Sequence, residues 1–157
     1  MTRPQNPLAR PATKDDADEI VRLAALMYES MQMDATGEPW RELALSAFAT
    51  RLGVDAFAYV VENPDAPGRL VASGAATLSQ RLPSPRNTVA LVGYIQWVAT
   101  DPPYRRRGYA RDVLLGLLDW LKLRGAVSVE LHATDVAAPL YRSLGFSVSA
   151  QGLRLFL

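Results

Sequence analysis

Apolar and polar positions alternate between two periods along this chain, and the switches mark its elements. Leu8 to Ala12 is a short candidate strand. Thr13-Lys14-Asp15-Asp16 has the hydroxyl-x-x-acid form of a helix start, and Ile20, Leu23, Ala24, Met27 and Met31 follow at helical spacing. A polar break from Asp34 to Glu38 ends that helix. Pro39 suits the first turn of the next one, whose stripe is Trp40, Leu43, Ala44, Ala47, Phe48 and Leu52, with Gly53 at its close.

Phe57 to Glu62 and Arg69 to Leu78 read as strands, joined by the turn-rich run Asn63-Pro64-Asp65-Ala66-Pro67-Gly68, so a hairpin is expected. Leu82 to Asn87 is a loop. Val89 to Ala99 is apolar on both alternating faces, as in a central strand. Tyr109 to Arg124 predicts a strong helix with Ala110, Val113, Leu114, Leu117, Leu118 and Leu121 on one face, stopped by Gly125. Val127, Val129 and Leu131 alternate with polar residues up to His132. Leu140 and Leu144 lie one helical turn apart before Gly145-Phe146, and Val148 with Leu153 to Leu157 suggests a closing strand pair. The order β-α-α-β-β-β-α-β-α-β predicts one α/β domain over residues 1–157 with a mixed sheet.

Composition narrows the chemistry. The 157 residues are 49% hydrophobic with a formal net charge of +1, so bulk charge points to neither nucleic acid nor a membrane surface. There is no cysteine, which removes a thiolate nucleophile and a cysteine metal site, and a single histidine, His132, argues against zinc. The first seven residues are polar and proline-rich, without the apolar core of a secretory signal, and are expected to be flexible. No apolar run approaches the roughly 20 residues that span a bilayer. The expected compartment is the cytoplasm.

One segment is chemically unusual: a strand through Trp97, then Asp101-Pro102-Pro103-Tyr104, then Arg105-Arg106-Arg107-Gly108-Tyr109-Ala110 opening the long helix. Helix starts carry unpaired N–H groups and partial positive charge, so an acidic or hydroxyl cap is the usual choice and three arginines are locally unfavourable. The arrangement makes sense where an anion sits, and a diphosphate suits amides plus guanidinium forks. A basic surface turn is the alternative. Neither a P-loop nor a Gly-x-Gly-x-x-Gly fingerprint is present.

Here the chain resembles the GNAT superfamily of acyl-CoA-dependent N-acetyltransferases, whose Arg/Gln-x-x-Gly-x-Gly/Ala signature stands as Arg105 to Ala110. A second motif, Tyr141-Arg142-Ser143-Leu144-Gly145-Phe146, follows at the family's usual separation. The resemblance runs from about Ala90 to Phe146 and more loosely back to Leu8. It implies a GNAT-like fold, a mixed central sheet of six to seven strands flanked by about four helices. It implies acetyl-CoA as co-substrate, an amine acceptor and no metal, and leaves a homodimer open. Backbone at Val98, Ala99 and Thr100 would bind the pantetheine arm. N–H groups of Arg106, Arg107, Gly108, Tyr109, Ala110 and Arg111 would hold the pyrophosphate, with Arg105 supporting the turn. Thr134 would contact the cofactor. The strands Val89–Ala99 and Val127–Ala133 would splay apart at their C-terminal ends.

Tyr141 would lie near the thioester sulfur. A thiol titrates near 8.5 and a phenol near 10, so the phenol can protonate a leaving thiolate at neutral pH; a tyrosine packed in the core beside Leu140 and Leu144 is the other reading. The family's strand glutamate is missing, because Tyr94-Ile95-Gln96-Trp97-Val98 holds no carboxylate. His132, Glu130 and the acids from Glu29 to Glu38 remain candidates for the base, and the commoner reading of His132 is a half-exposed strand residue with no catalytic role. The first two helices would build the acceptor pocket, with Tyr28, Met31, Met33 and Trp40 as apolar surface and Glu29, Asp34 and Glu38 to attract a cationic amine. The expected function is direct acetyl transfer to a primary amine. A non-catalytic acyl-CoA-binding module of the same fold is the alternative, and a plain α/β interaction domain a third.

Overall fold

The computed structural model of the chain describes residues 8–37, 39–149 and 152–157. The first seven residues, expected to be flexible, and Glu38 lie outside them. Five strands and four helices follow in the order β1 (Arg10–Pro11), α1 (Ala17–Ser30), α2 (Trp40–Arg51), β2 (Ala56–Glu62), β3 (Leu70–Gln80), β4 (Leu91–Thr100), α3 (Tyr109–Leu123), β5 (Ser128–Glu130) and α4 (Ala138–Ser143). Short 3-10 turns, Lys14–Asp16 and Pro102–Tyr104, precede α1 and follow β4.

The sheet order is β1-β2-β3-β4-β5, antiparallel from β1 to β4. β5 joins β4 in parallel, because α3 carries the chain back across the sheet. The expected mixed sheet is therefore present with five strands, not six to seven. The closing strand pair does not form among the described residues: Val148, Leu153, Leu155, Phe156 and Leu157 are all at least 81% exposed. β5 is only three residues long, and so short an edge offers few rungs to template another strand.

Two apolar layers hold the sheet. On one face Val113, Leu114, Leu117 and Leu121 of α3 pack against Tyr59, Val71, Ala76 and Ile95. Gly116 makes this approach possible, since a Cβ there would lie 2.5 Å from the Tyr59 ring. On the other face Ile20 and Leu23 of α1 and Phe48 of α2 cover Ala58, Val60, Leu70 and Ala75. Burying the α3 leucines contributes about 2 kcal/mol each.

Two predicted stripes divide. Ile20, Leu23 and Ala24 are buried as expected, but Met31, one residue past the end of α1, is 46% exposed. In α2 only Ala44 and Phe48 are buried, while Leu43 and Ala47 face solvent. The predicted start of the first helix holds: the Thr13 N–H donates to the Asp16 carboxylate at 2.8 Å. Arg10 donates to both oxygens of the same carboxylate at 2.9 Å, tying β1 to the helix.

Candidate functional site

The site begins with a break in β4. Ser73 pairs with Ala99 and Ala75 with Gln96, so Gly74 faces both Trp97 and Val98. This bulge holds Trp97 at φ +58°, a left-handed conformation that a bulky side chain rarely adopts. On its other edge β4 pairs with β5 only from Val92↔Ser128 to Tyr94↔Glu130. Beyond that rung β4 runs on to Thr100 with no described strand on that side, so the two strands part as expected. The predicted Val127–His132 strand is thereby cut to Ser128–Glu130.

A groove of about 650 Å³ occupies this region. Val98, Ala99 and Thr100 form one wall, and Tyr104 to Arg111 form its end. Thr134, Val136, Ala137 and Leu140 form the opposite wall, and Leu26, Met27, Ser30 and Met31 of α1 line the rest. The structure thus brings Val98, Ala99, Thr100, Arg105, Arg106, Arg107, Gly108, Tyr109, Ala110, Arg111 and Thr134 to one cavity.

The arginine turn has the backbone of an anion cradle. Arg106 lies at φ +65° and Gly108 at φ +82°, and no side chain caps α3. The N–H groups of Arg106, Arg107, Gly108, Tyr109 and Ala110 find no acceptor among the described residues. Neither do the guanidiniums of Arg105, Arg106 and Arg107 pair with a described carboxylate. Successive free amides and the positive helix end make such a concavity attractive to anions.

Neighbouring contacts fix the turn. Arg105 Nε donates to the Thr100 carbonyl at 3.2 Å. Arg107 lies over the Tyr104 ring at 5.1 Å, and the Tyr104 hydroxyl donates to Asp65 at 3.2 Å. Arg111 donates to Ser143 Oγ at 3.0 Å, joining α3 to α4. Thr134 Oγ1 accepts the Ala137 N–H at 3.3 Å, at the start of α4.

Tyr141 stands one residue beyond Leu140 of the groove wall. Its side chain packs into the α3-side core, edge-on to Phe146 at 5.9 Å between ring centres. Burial pushes its phenol above the ordinary tyrosine value. Its hydroxyl has no hydrogen-bond partner among the described residues.

The candidate bases differ in their freedom. Glu130 accepts two bonds from Arg81, both 2.8 Å, and these hold its carboxyl below the usual range. Asp34 accepts the Thr36 hydroxyl and N–H, which lower it likewise. Glu29 is exposed at the end of α1. His132 Nδ1 lies 2.7 Å from the Tyr94 hydroxyl.

The expected acceptor region contains a smaller hollow of about 180 Å³, lined by Tyr28, Met33, Asp34, Ala35 and Trp40. Met31 belongs to the large groove instead. Trp40 meets Tyr28 edge-on at 5.7 Å and Trp97 at 6.5 Å, linking the hollow to the β4 bulge. Sequence reasoning missed three features here. The Trp97 bulge has no local signal, because it arises from mismatched register with β3. Leu26 and Ser30 of α1 enter the groove only through tertiary packing. Asp112 of α3 is buried and accepts the Ala9 N–H at 2.6 Å; its place in the first turn, where acids are favoured, was a readable sign.

Residues 9–149 match the family model of the acetyltransferase (GNAT) domain. A glucosamine 6-phosphate N-acetyltransferase of Trypanosoma brucei brucei is 32% identical over 66 residues, 42% of this chain and 45% of that protein. A ribosomal protein bS18-alanine N-acetyltransferase of Salmonella typhimurium is 45% identical over 53 residues, 32% of this chain and 36% of that protein. The matches thus span less than half the length of these curated relatives. The fold superposes on a crystal structure of a predicted acetyltransferase with acetyl-CoA from Clostridium acetobutylicum, with a TM-score of 0.84, 21% identity and 94% of each chain covered.

Proposed function

This chain belongs to the GNAT acetyltransferase family, and we propose that it transfers the acetyl group of acetyl-CoA directly to a primary amine. The observation that carries the reading is the open anion cradle at the start of α3, set at one end of a groove that begins beside the unpaired half of β4. A diphosphate supplies the acceptors that the amides of Arg106, Arg107, Gly108, Tyr109 and Ala110 lack among the described residues, with guanidinium forks around it. Arg105 then holds the turn to Thr100.

From that anchor the pantetheine arm follows the backbone of Val98, Ala99 and Thr100, where β4 has lost its strand neighbour and its polar groups can serve a ligand. Thr134 borders the same path from the opposite wall. The thioester comes to rest toward the start of α4, and Tyr141 gives a proton to the departing sulfur. Its raised phenol keeps that proton at neutral pH. The amine enters from the side of α1 and α2. The apolar hollow between Tyr28 and Trp40 favours an amine with an apolar body, and Asp34 at its edge favours a cation.

Incubation with acetyl-CoA and a panel of primary amines tests the proposal through release of free CoA thiol. Transfer predicts thiol release that depends on the amine, with one acetylated product per thiol. Tight CoA binding without release from any amine would favour the non-catalytic module. Absence of CoA binding would remove the anion-cradle argument itself.

A further inference from the structure

The attacking amine must shed a proton, and two of the carboxylates considered for that role are already engaged. Glu130 is clamped by Arg81 and Asp34 by Thr36. His132 is exposed and, apart from the Tyr94 bond at Nδ1, its ring nitrogens meet no partner among the described residues. We propose that His132 takes the amine proton through Nε2 and that Tyr94 is its positioning residue. This rests on the acetyl-transfer reading above.

The placement argues for it. Tyr94 lies on the last rung shared by β4 and β5, opposite Glu130, where the strands begin to part. His132 stands two residues past that rung on the β5 side. Val98, four residues past Tyr94, and Thr134, two past His132, both line the groove. The 2.7 Å bond from Tyr94 to His132 therefore spans the mouth of the split where the backbone ladder has stopped. The two rings also meet edge-to-face at 5.8 Å, which fixes the imidazole plane.

With its proton on Nδ1, His132 donates to Tyr94 Oη and carries its lone pair on Nε2. Burial pushes the Tyr94 phenol up, so Oη stays protonated and neutral and can accept that bond. As the amine nitrogen bonds to the thioester carbonyl carbon, one N–H proton passes to Nε2. The C–S electron pair then leaves with sulfur, which takes its proton from Tyr141. His132 ends with one proton more and Tyr141 with one fewer, and solvent restores both. The other charged or titratable groups near the pair are Glu130, held by Arg81, together with Arg154 and Tyr28.

Steady-state kinetics with an amine turned over by the wild type provides the test. His132→Gln should lower kcat about 100-fold, the modest end of general-base contributions, with CoA affinity unchanged. It should leave the amine KM nearly unchanged, because a base acts in the transition state and not in ground-state binding. Tyr94→Phe removes the acceptor that orients the imidazole, so kcat should fall by about tenfold, less than in His132→Gln, again with the amine KM nearly unchanged. The exposed position of His132 makes its glutamine variant a safe one for folding, and near-UV circular dichroism checks this. A His132→Gln protein with the wild-type kcat overturns this proposal alone. A wild-type protein that releases no thiol with any amine overturns the parent reading and this one with it.

Discussion

Asp112, in the first turn of α3, accepts the backbone N–H of Ala9 at 2.6 Å across 103 residues of chain. The bond fastens the start of the chain to the helix that begins with the arginine turn. It also places a carboxylate near the positive end of α3 while aiming it into the protein, away from the cradle. Asp112→Ala should cost roughly 2 kcal/mol, the range for a hydrogen bond to a charged group, and lower the melting temperature by about 4–8 °C. Thermal unfolding followed by circular dichroism measures it, and an unchanged midpoint would show that β1 is held by other contacts.

Gly108 separates backbone strain from charge. Its φ of +82° strains any other residue, yet a Cβ there meets nothing within 4 Å. Gly108→Ala should therefore incur only the left-handed penalty of about 1 kcal/mol and weaken CoA binding by less than about tenfold. Gly108→Asp adds a negative charge beside the diphosphate and should weaken binding by more than about 100-fold. Calorimetry with CoA distinguishes the two, and equal affinities for both variants would refute the anion site.

Tyr141→Phe removes a hydroxyl that has no bonded partner among the described residues, so stability should change by less than about 1 kcal/mol. Turnover should fall by about 100-fold while CoA affinity holds. Full retention of kcat would mean that the thiolate takes its proton from solvent and that Tyr141 serves packing with Phe146.

Acid should loosen the fold through Asp16 and Glu19. Burial raises each carboxyl, but the bonds from Arg10 and Thr13 to Asp16, and from Arg22 and Leu70 to Glu19, more than reverse it. Both folded values thus lie below the unfolded ones of about 3.9 and 4.3. The folded chain binds fewer protons there, so this stability is present above those values and is lost as pH falls through the lowered ones. Urea midpoints between about pH 6 and about pH 3 should show the decline, and Arg10→Met should shrink it. A decline of the same size in that variant would place the acid sensitivity elsewhere.

Local patterns carried much of the architecture. The α3 stripe, the hairpin of β2 and β3 and the arginine turn were all readable, because each depends on neighbours within a few residues. The expected closing strands do not form among the described residues, for the complementary reason. Leu153, Leu155 and Leu157 alternate like a strand, but alternation becomes structure only where an edge and an apolar face await it.

The sequence by itself determined the helix periods, the want of a cysteine anywhere and of a carboxylate on the central strand, and the position of a cationic turn at a helix start. Those properties reside in side-chain identity and spacing. Only the tertiary structure decided that Trp97 bulges, that β5 leaves β4 after three rungs, that Met31 turns from core stripe to groove wall and that Tyr94 meets His132. These arise from register between distant strands and from contacts between elements far apart in sequence, which no local pattern encodes.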